Sequence, residues 1–382
     1  FTGLADLEGN ADIDTTRGLW GGVVINGNAP INDCPEGAEG GTAECTKEGE
    51  ANSGLFGGDD PTDSSGSLKY MVVKYAGSNV DPENQLNGIA FQGVGSGTEV
   101  DYVQVHNNLD DGIEFFGGNV SARHIVLTGN ADDSLDWTDG WQGSIQFLLI
   151  NQADDSADNG IEADNREGDE NAMPRSKPMI ANMSIVGNPE ERGVRLRRGT
   201  GLRLYSSYVT DNATCLDVSG ESLNLLGSDI DFDGVSFNCP ETVDGDNPEL
   251  QSFLDGLDNV SQDGASVAAA DLSGMANFES TEFVGAIGDM DWTAGWTVGD
   301  LDPGSPDFTP PVAGCPDGTT EGDDINGTPS CVLPQSIISD MRLSAGNFYV
   351  LDSKVVVGGD NMDSAVLTVD AGVTIVGDDA ED

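Results

Sequence analysis

One stretch of this chain, residues 87–165, matches itself when displaced by 22 residues. The run from Val103 to Asn108 falls on Ile125 to Asn130 and then on Phe147 to Gln152. Asp110 and Asp111 fall on Asp132 and Asp133, then on Asp154 and Asp155. A fixed period of this size marks a solenoid, in which each repeat buries its apolar face only by stacking on its neighbours. Each period holds two apolar runs of four to six residues, rich in Val, Ile, Leu and Phe and bounded by Gly, Asn and Asp. Such runs read as strands. The expected fold is all-β: a right-handed parallel β-helix with coils of about 22 residues and looped insertions. A leucine-rich repeat has a similar period, but its Leu-x-x-Leu-x-Leu frame is absent.

The tetrads Gly88-Ile-Ala-Phe, Gly112-Ile-Glu-Phe, Ser134-Leu-Asp-Trp, Gly160-Ile-Glu-Ala, Gly193-Val-Arg-Leu and Cys215-Leu-Asp-Val extend the pattern at intervals of 24, 22, 26, 33 and 22. The interval of 33 holds a polar loop, Arg166 to Pro174. Insertions of this kind cost little, because loop-closure entropy grows slowly with length. The organisation expected is a β-helix domain over residues 1–300 carrying a Cys-bearing loop at 31–66. A Pro/Gly linker with a disulfide loop follows at 301–335, then a β-strand segment at 336–382 that either joins another subunit or caps its own solenoid. A short helix is expected near Asn247-Pro-Glu.

With 15 Lys plus Arg against 68 Asp plus Glu, the formal charge is −53. That excludes nucleic acid and anionic lipid as partners, and no run is long enough to span a membrane. Six cysteines fall in sequence-local pairs, Cys34 with Cys45, Cys215 with Cys239 and Cys315 with Cys331. The pairing points to three disulfides and an extracellular or cell-surface location. Zinc thiolate sites are the alternative, but there is no Cys-x-x-Cys and there are two histidines.

Three segments carry a resemblance: Arg17-Gly-Leu-Trp-Gly-Gly-Val-Val-Ile-Asn-Gly27, Gly112-Ile-Glu-Phe-Phe-Gly-Gly118 and Asp291-Trp-Thr-Ala-Gly-Trp296. The chain resembles large secreted or cell-surface parallel β-helix proteins of marine bacteria. The resemblance implies the fold and no activity. In those proteins, segments similar to Leu343–Asp378 open the solenoid, whereas here that segment comes last.

Two acidic columns are the candidate sites. Asp110, Asp111, Asp132, Asp133, Asp154 and Asp155 repeat at the turns. With coils about 4.8 Å apart, such carboxylates repel unless they splay into water or share a cation. Oxygen-seeking Ca²⁺ is the ion expected, in a structural role. The second column, Glu114, Asp136, Glu162, Arg195 and Asp217, follows the strand centres. Glu114, Asp136, Glu162 and Arg195 would be the catalytic set if the chain were a polysaccharide lyase or glycoside hydrolase, with Trp137 and Trp141 stacking sugars or simply packing. Acids are so frequent that such sets arise by chance, and a −53 protein repels polyanionic substrates. The sequence therefore favours a non-enzymatic role: a calcium-stabilised extracellular structural protein whose copies assemble head to tail into a filament. In that scheme the last segment crosses to a neighbouring copy by strand addition. A glycan-binding adhesin is the alternative, with polysaccharide as the partner.

Overall fold

A computed structural model describes residues 1–81, 84–299, 314–358 and 365–377. Part of the anticipated linker, residues 301–313, lies outside the described residues.

Short strands recur because each coil can pair its backbone only with the coils before and after it. Two long sheets result, both parallel throughout. The first stacks Val23–Asn26, Ile89–Gln92, Ile113–Phe116, Leu135–Thr138, Asn159–Ala163, Arg192–Leu196, Thr214–Val218 and Glu241–Val243. The second stacks Ser67–Lys74, Glu99–His106, Ser121–Thr128, Ser144–Asn151, Met179–Val186, Leu202–Thr210, Ile230–Asn238 and Val260–Ser261. This is the parallel β-helix expected. Inward residues form columns of like with like. Ile89, Ile113, Leu135, Ile161, Val194 and Leu216 line the first sheet, and Val105, Leu127, Ile150, Ile185 and Val209 the second.

Buried Asn108, Asn130, Asn188 and Asn212 mark one corner. Gln152 stands at the same corner in the coil between Asn130 and Asn188. Asn108 N donates to Asn130 Oδ1, Asn188 N donates to Gln152 Oε1, and Asn212 Nδ2 also donates to Gln152 Oε1. These amides leave no room for a side chain at Gly112, whose Cβ would lie 2.4 Å from Asn130 Nδ2.

The second sheet has one left-handed residue in most coils. Tyr70, Tyr102, His124, Phe147, Asn182 and Ser206 have φ between 46° and 64°. Each is skipped by the pairing and kinks its strand, throwing its side chain outward. Tyr70, Tyr102, His124 and Phe147 stack in sequence, with ring centroids 4.5, 4.2 and 4.8 Å apart. A long strap lies over this column. Its backbone bonds outward polar side chains: Glu279 N to Gln146 Oε1, Ala286 N to Ser184 Oγ and Val298 N to Gln104 Oε1. Trp292 and Trp296 meet His124 and Tyr102 edge-on. The Asp-Trp-Thr-Ala-Gly-Trp segment is thus a surface strap, although its sequence repeats a motif of the coils.

Both ends of the stack are covered. At the far end the helix Pro248–Asp255 is capped by Asn247, whose Oδ1 accepts from Leu250 N. Leu250 and Leu254 enter the core, and Phe253 meets Phe232 at 5.8 Å. At the near end the last segment lies on the chain's own first residues. Thr374–Gly377 pairs in parallel with Thr2–Gly3, and Lys74 N donates to Phe1 O, joining this sheet to the second long sheet. Antiparallel Thr320–Glu321 closes its outer edge beside the Cys315–Cys331 disulfide. The last segment, expected to cross to a neighbouring copy, instead folds back on its own chain. The pairing with the first residues is made within one chain, so the structure gives no support to a filament.

Candidate acidic site on the first sheet

Strand register decides which side chains share the outer face of the first sheet. Glu114 pairs with Asp136, Asp136 with Glu162, Glu162 with Arg195 and Arg195 with Asp217. The central column therefore stands in unbroken order, despite the 33-residue interval between Gly160 and Gly193.

The turn column is different. Asp110 and Asp111 stand beside Asp132 and Asp133, but the next coil has four extra turn residues. Since Leu135 pairs with Ile161, Asp158 and Asn159 take the following places. Asp154 and Asp155 are exposed and lie outside the cluster, and Asp155 is held by Arg17 at 2.8 Å. Counting back from the Ile-Glu tetrads, rather than forward by 22, identifies Asp158 and Asn159.

Two carboxylate triads meet at one residue. Asp111, Glu114 and Asp136 form one, and Asp133, Asp136 and Glu162 the other, with ligand oxygens within 4.8 Å of each other in each triad. Asp110 and Asp132 with Asp111, and Asp132 and Asp158 with Asp133, flank them at the edge. Most of these carboxylates have donors. Asp111 Oδ1 accepts from Asp133 N at 3.0 Å. Asp133 Oδ1 accepts from Asn159 N at 2.7 Å and Nδ2 at 2.8 Å. Glu114 Oε2 accepts from Asn87 Nδ2 at 2.7 Å. Asp136 Oδ1 is buried with no hydrogen-bond partner among the described residues.

Burial first, then neighbouring carboxylates, raises Asp111, Glu114, Asp133 and Asp136 well above the usual carboxylate range. Sequence reading missed a further acid, Glu50. The Cys34–Cys45 disulfide and Lys47, which bridges Asp33 and Asp139, pin its loop over the sheet. Burial and Asp110 push Glu50 up to about 7. Asn87 Nδ2 also bonds Glu50, tying the loop to Glu114.

Arginines bound the acids on one side. Arg195 lies 3.0 Å from Glu162 and 3.4 Å from Asp217. Arg197 bonds both Glu162 and Asp164, and Arg198 bonds Asp164 at 2.5 Å. Burial still raises Glu162, outweighing its two guanidinium neighbours.

Trp137 and Trp141 do not reach this face. Both are fully buried; Trp141 stacks on Phe115 at 4.0 Å, the Trp137 indole N–H donates to Thr200 Oγ1 and the Trp141 indole N–H to Val120 O. They pack the core and offer no face to a sugar. The three disulfides join the cysteine pairs expected.

A buried wall of carboxylates with one unpaired oxygen at its centre can hold a metal ion. The family comparison agrees with the fold: the pectate-lyase-like β-helix domain matches residues 10–297, and the chain belongs to that family. No curated protein and no solved structure matches it significantly. Membership is compatible with a polysaccharide-degrading enzyme and equally with a non-catalytic binding protein. No helix among the described residues is long and apolar enough to cross a membrane.

Proposed function

We propose that this chain is an extracellular β-helix protein that binds a divalent cation, calcium first, on the outer face of the first sheet and uses it to hold an acidic polysaccharide. The supporting observation is Asp136, which belongs to both carboxylate triads and whose Oδ1 is buried without a hydrogen-bond partner among the described residues. Asp111, Glu114, Asp133, Asp136 and Glu162 would hold the ion. Ca²⁺ suits several carboxylates in flexible geometry, and it would supply the positive charge that a −53 protein needs to meet a polyanion. Three disulfides support an oxidising, extracellular setting.

Binding is favoured over elimination chemistry by the state of the arginines. A lyase base must give up its proton, but Arg195 and Arg197 each contact two carboxylates, and Arg197 is raised further from neutrality by Asp164 and Glu162. The test is titration calorimetry with CaCl₂, then with polygalacturonate and alginate, in calcium and in chelator. Calcium binding lost in Asp136→Asn, and polysaccharide binding only with calcium, are the results expected. Formation of unsaturated or reducing ends, abolished by Glu162→Gln, would replace this reading with a lyase or hydrolase.

A further inference from the structure

A second recess lies on the other long sheet, on a different face from the acidic wall. Register places Tyr208 beside Ser236 and Thr210 beside Asn238, with all four side chains on the outer surface. Residues 264–269 form one wall and the strap residues Glu282 and Val284 the other, framing an open recess of about 600 Å³. That is the size of a small-ligand site.

The recess has a fixed floor. Gly285 N donates to Ser206 O at 2.8 Å, and Ala286 N to Ser184 Oγ at 2.8 Å, so the strap is pinned beside Tyr208. A Cβ at Gly285 would come within 2.6 Å of the Tyr208 ring. Only glycine allows this approach, which sets the angle of the half-buried ring. Asn238 Nδ2 donates to Thr210 Oγ1 at 3.1 Å, and Ser236 Oγ to Ala265 O at 3.1 Å. The Tyr208 hydroxyl bonds none of the described residues.

The lining chemistry narrows the ligand. It offers one aromatic ring, hydroxyls, one amide and one rim carboxylate, Glu282, and no cation. An anion would find nothing to neutralise it. A neutral polyhydroxylated ring suits the set, since aliphatic C–H groups pack on an aromatic face while hydroxyls exchange bonds with Thr, Ser, Asn and Glu. We propose that this recess binds a hexose unit of a neutral polysaccharide, with its ring on Tyr208 and its hydroxyls on Thr210, Ser236, Asn238 and Glu282. This site is independent of the cation-dependent face.

The test is calorimetry of the full chain, held in chelator, with cellohexaose, laminarihexaose and mannohexaose. At least one should bind, unaffected by chelator or by Asp136→Asn. Tyr208→Ala should weaken that binding about tenfold or more, whereas Tyr208→Phe keeps the stacking face and most of the affinity. Exposed Asn238→Ala should weaken it without lowering the melting temperature, separating lost contacts from lost fold. Binding of none of the three, or binding unchanged in both Tyr208→Ala and Asn238→Ala, overturns the proposal.

Discussion

Arg195 Nη1 stands 3.0 Å from Glu162 Oε1 on the neighbouring strand, although 33 residues separate them in the chain. The same guanidinium reaches Asp217 on the next strand. Arg195→Met would keep the aliphatic stem but leave Asp217 and Glu162 poorly compensated, with Arg197 remaining on Glu162. Removing one partner of a buried pair is costly, but Arg195 is about a quarter exposed and water offsets part of the loss. The expected destabilisation is roughly 1–2 kcal/mol, read as a lower urea midpoint with an unchanged slope.

Acidity should stabilise the cation-free protein. Folding raises the pKa of Asp111, Glu114, Asp133 and Asp136, and that of Glu50 to about 7. A carboxyl raised in this way takes up its proton more readily folded than unfolded. Its stabilising contribution is complete below the unfolded pKa of about 4 and is lost as pH rises through the folded value. In chelator the melting temperature should therefore fall between pH 5 and pH 8. Calcium should flatten or reverse that slope, because it binds the ionised wall. A cation-free protein more stable at pH 8 than at pH 5 would contradict the burial of this wall.

Asp136→Asn isolates the centre of the wall. It removes one charge at the point where both triads meet and keeps the shape. Without calcium the variant should be more stable than the parent at pH 8, since burial and the neighbouring Glu162 and Asp164 carboxylates raise the Asp136 pKa and disfavour its charged form. With millimolar calcium the order should invert, because the parent alone gains the ligand's stabilisation. Paired melting curves with calcium and with chelator decide it. A variant that gains as much from calcium as the parent would place the ion elsewhere.

The parts of this site that were legible in the sequence share a physical cause. Along a strand the side-chain period is two and the rung spacing is fixed, so the Ile-Glu tetrads carried Glu114, Asp136, Glu162, Arg195 and Asp217 into register across a long insertion. Turns have no such period. Four extra residues before Asn159 moved Asp154 and Asp155 out of the column and put Asp158 in. The strap over the second sheet was illegible for another reason. Isolated bonds between its backbone and the side chains of Gln104, Gln146 and Ser184 help to hold it, paired at the two glutamines, and these leave no periodic trace. Its Asp-Trp-Thr-Ala-Gly-Trp segment copies Asp136-Trp-Thr-Asp-Gly-Trp141, yet Trp137 and Trp141 face the core while Trp292 and Trp296 lie on the outer aromatic column. Asn247-Pro-Glu was readable as a helix start because a cap and a proline at the first turn are local chemistry.

That helix yields the last prediction. Solenoids end in unpaired strand edges, which recruit other strands unless covered. Here Glu241–Val243 and Val260–Ser261 are the terminal strands of the two long sheets, and the helix Pro248–Asp255 lies between them in sequence. Leu254, 1% exposed, belongs to the same core as Phe232 and Val218. Leu254→Ala removes buried methyl groups and leaves a cavity at the end of the stack, a change that costs about 2–4 kcal/mol. Each coil contacts mainly its neighbours, so the loss should stay local. Amide exchange should accelerate over residues 241–261 and remain slow over 113–138. The uncovered edges should then promote association, seen as light scattering that rises with concentration. Asn247→Ala removes only the cap bond, worth about 1 kcal/mol, and should produce a weaker version of the same fraying. Faster exchange spread evenly over all coils, with no association, would mean that the helix does not act as an end cap.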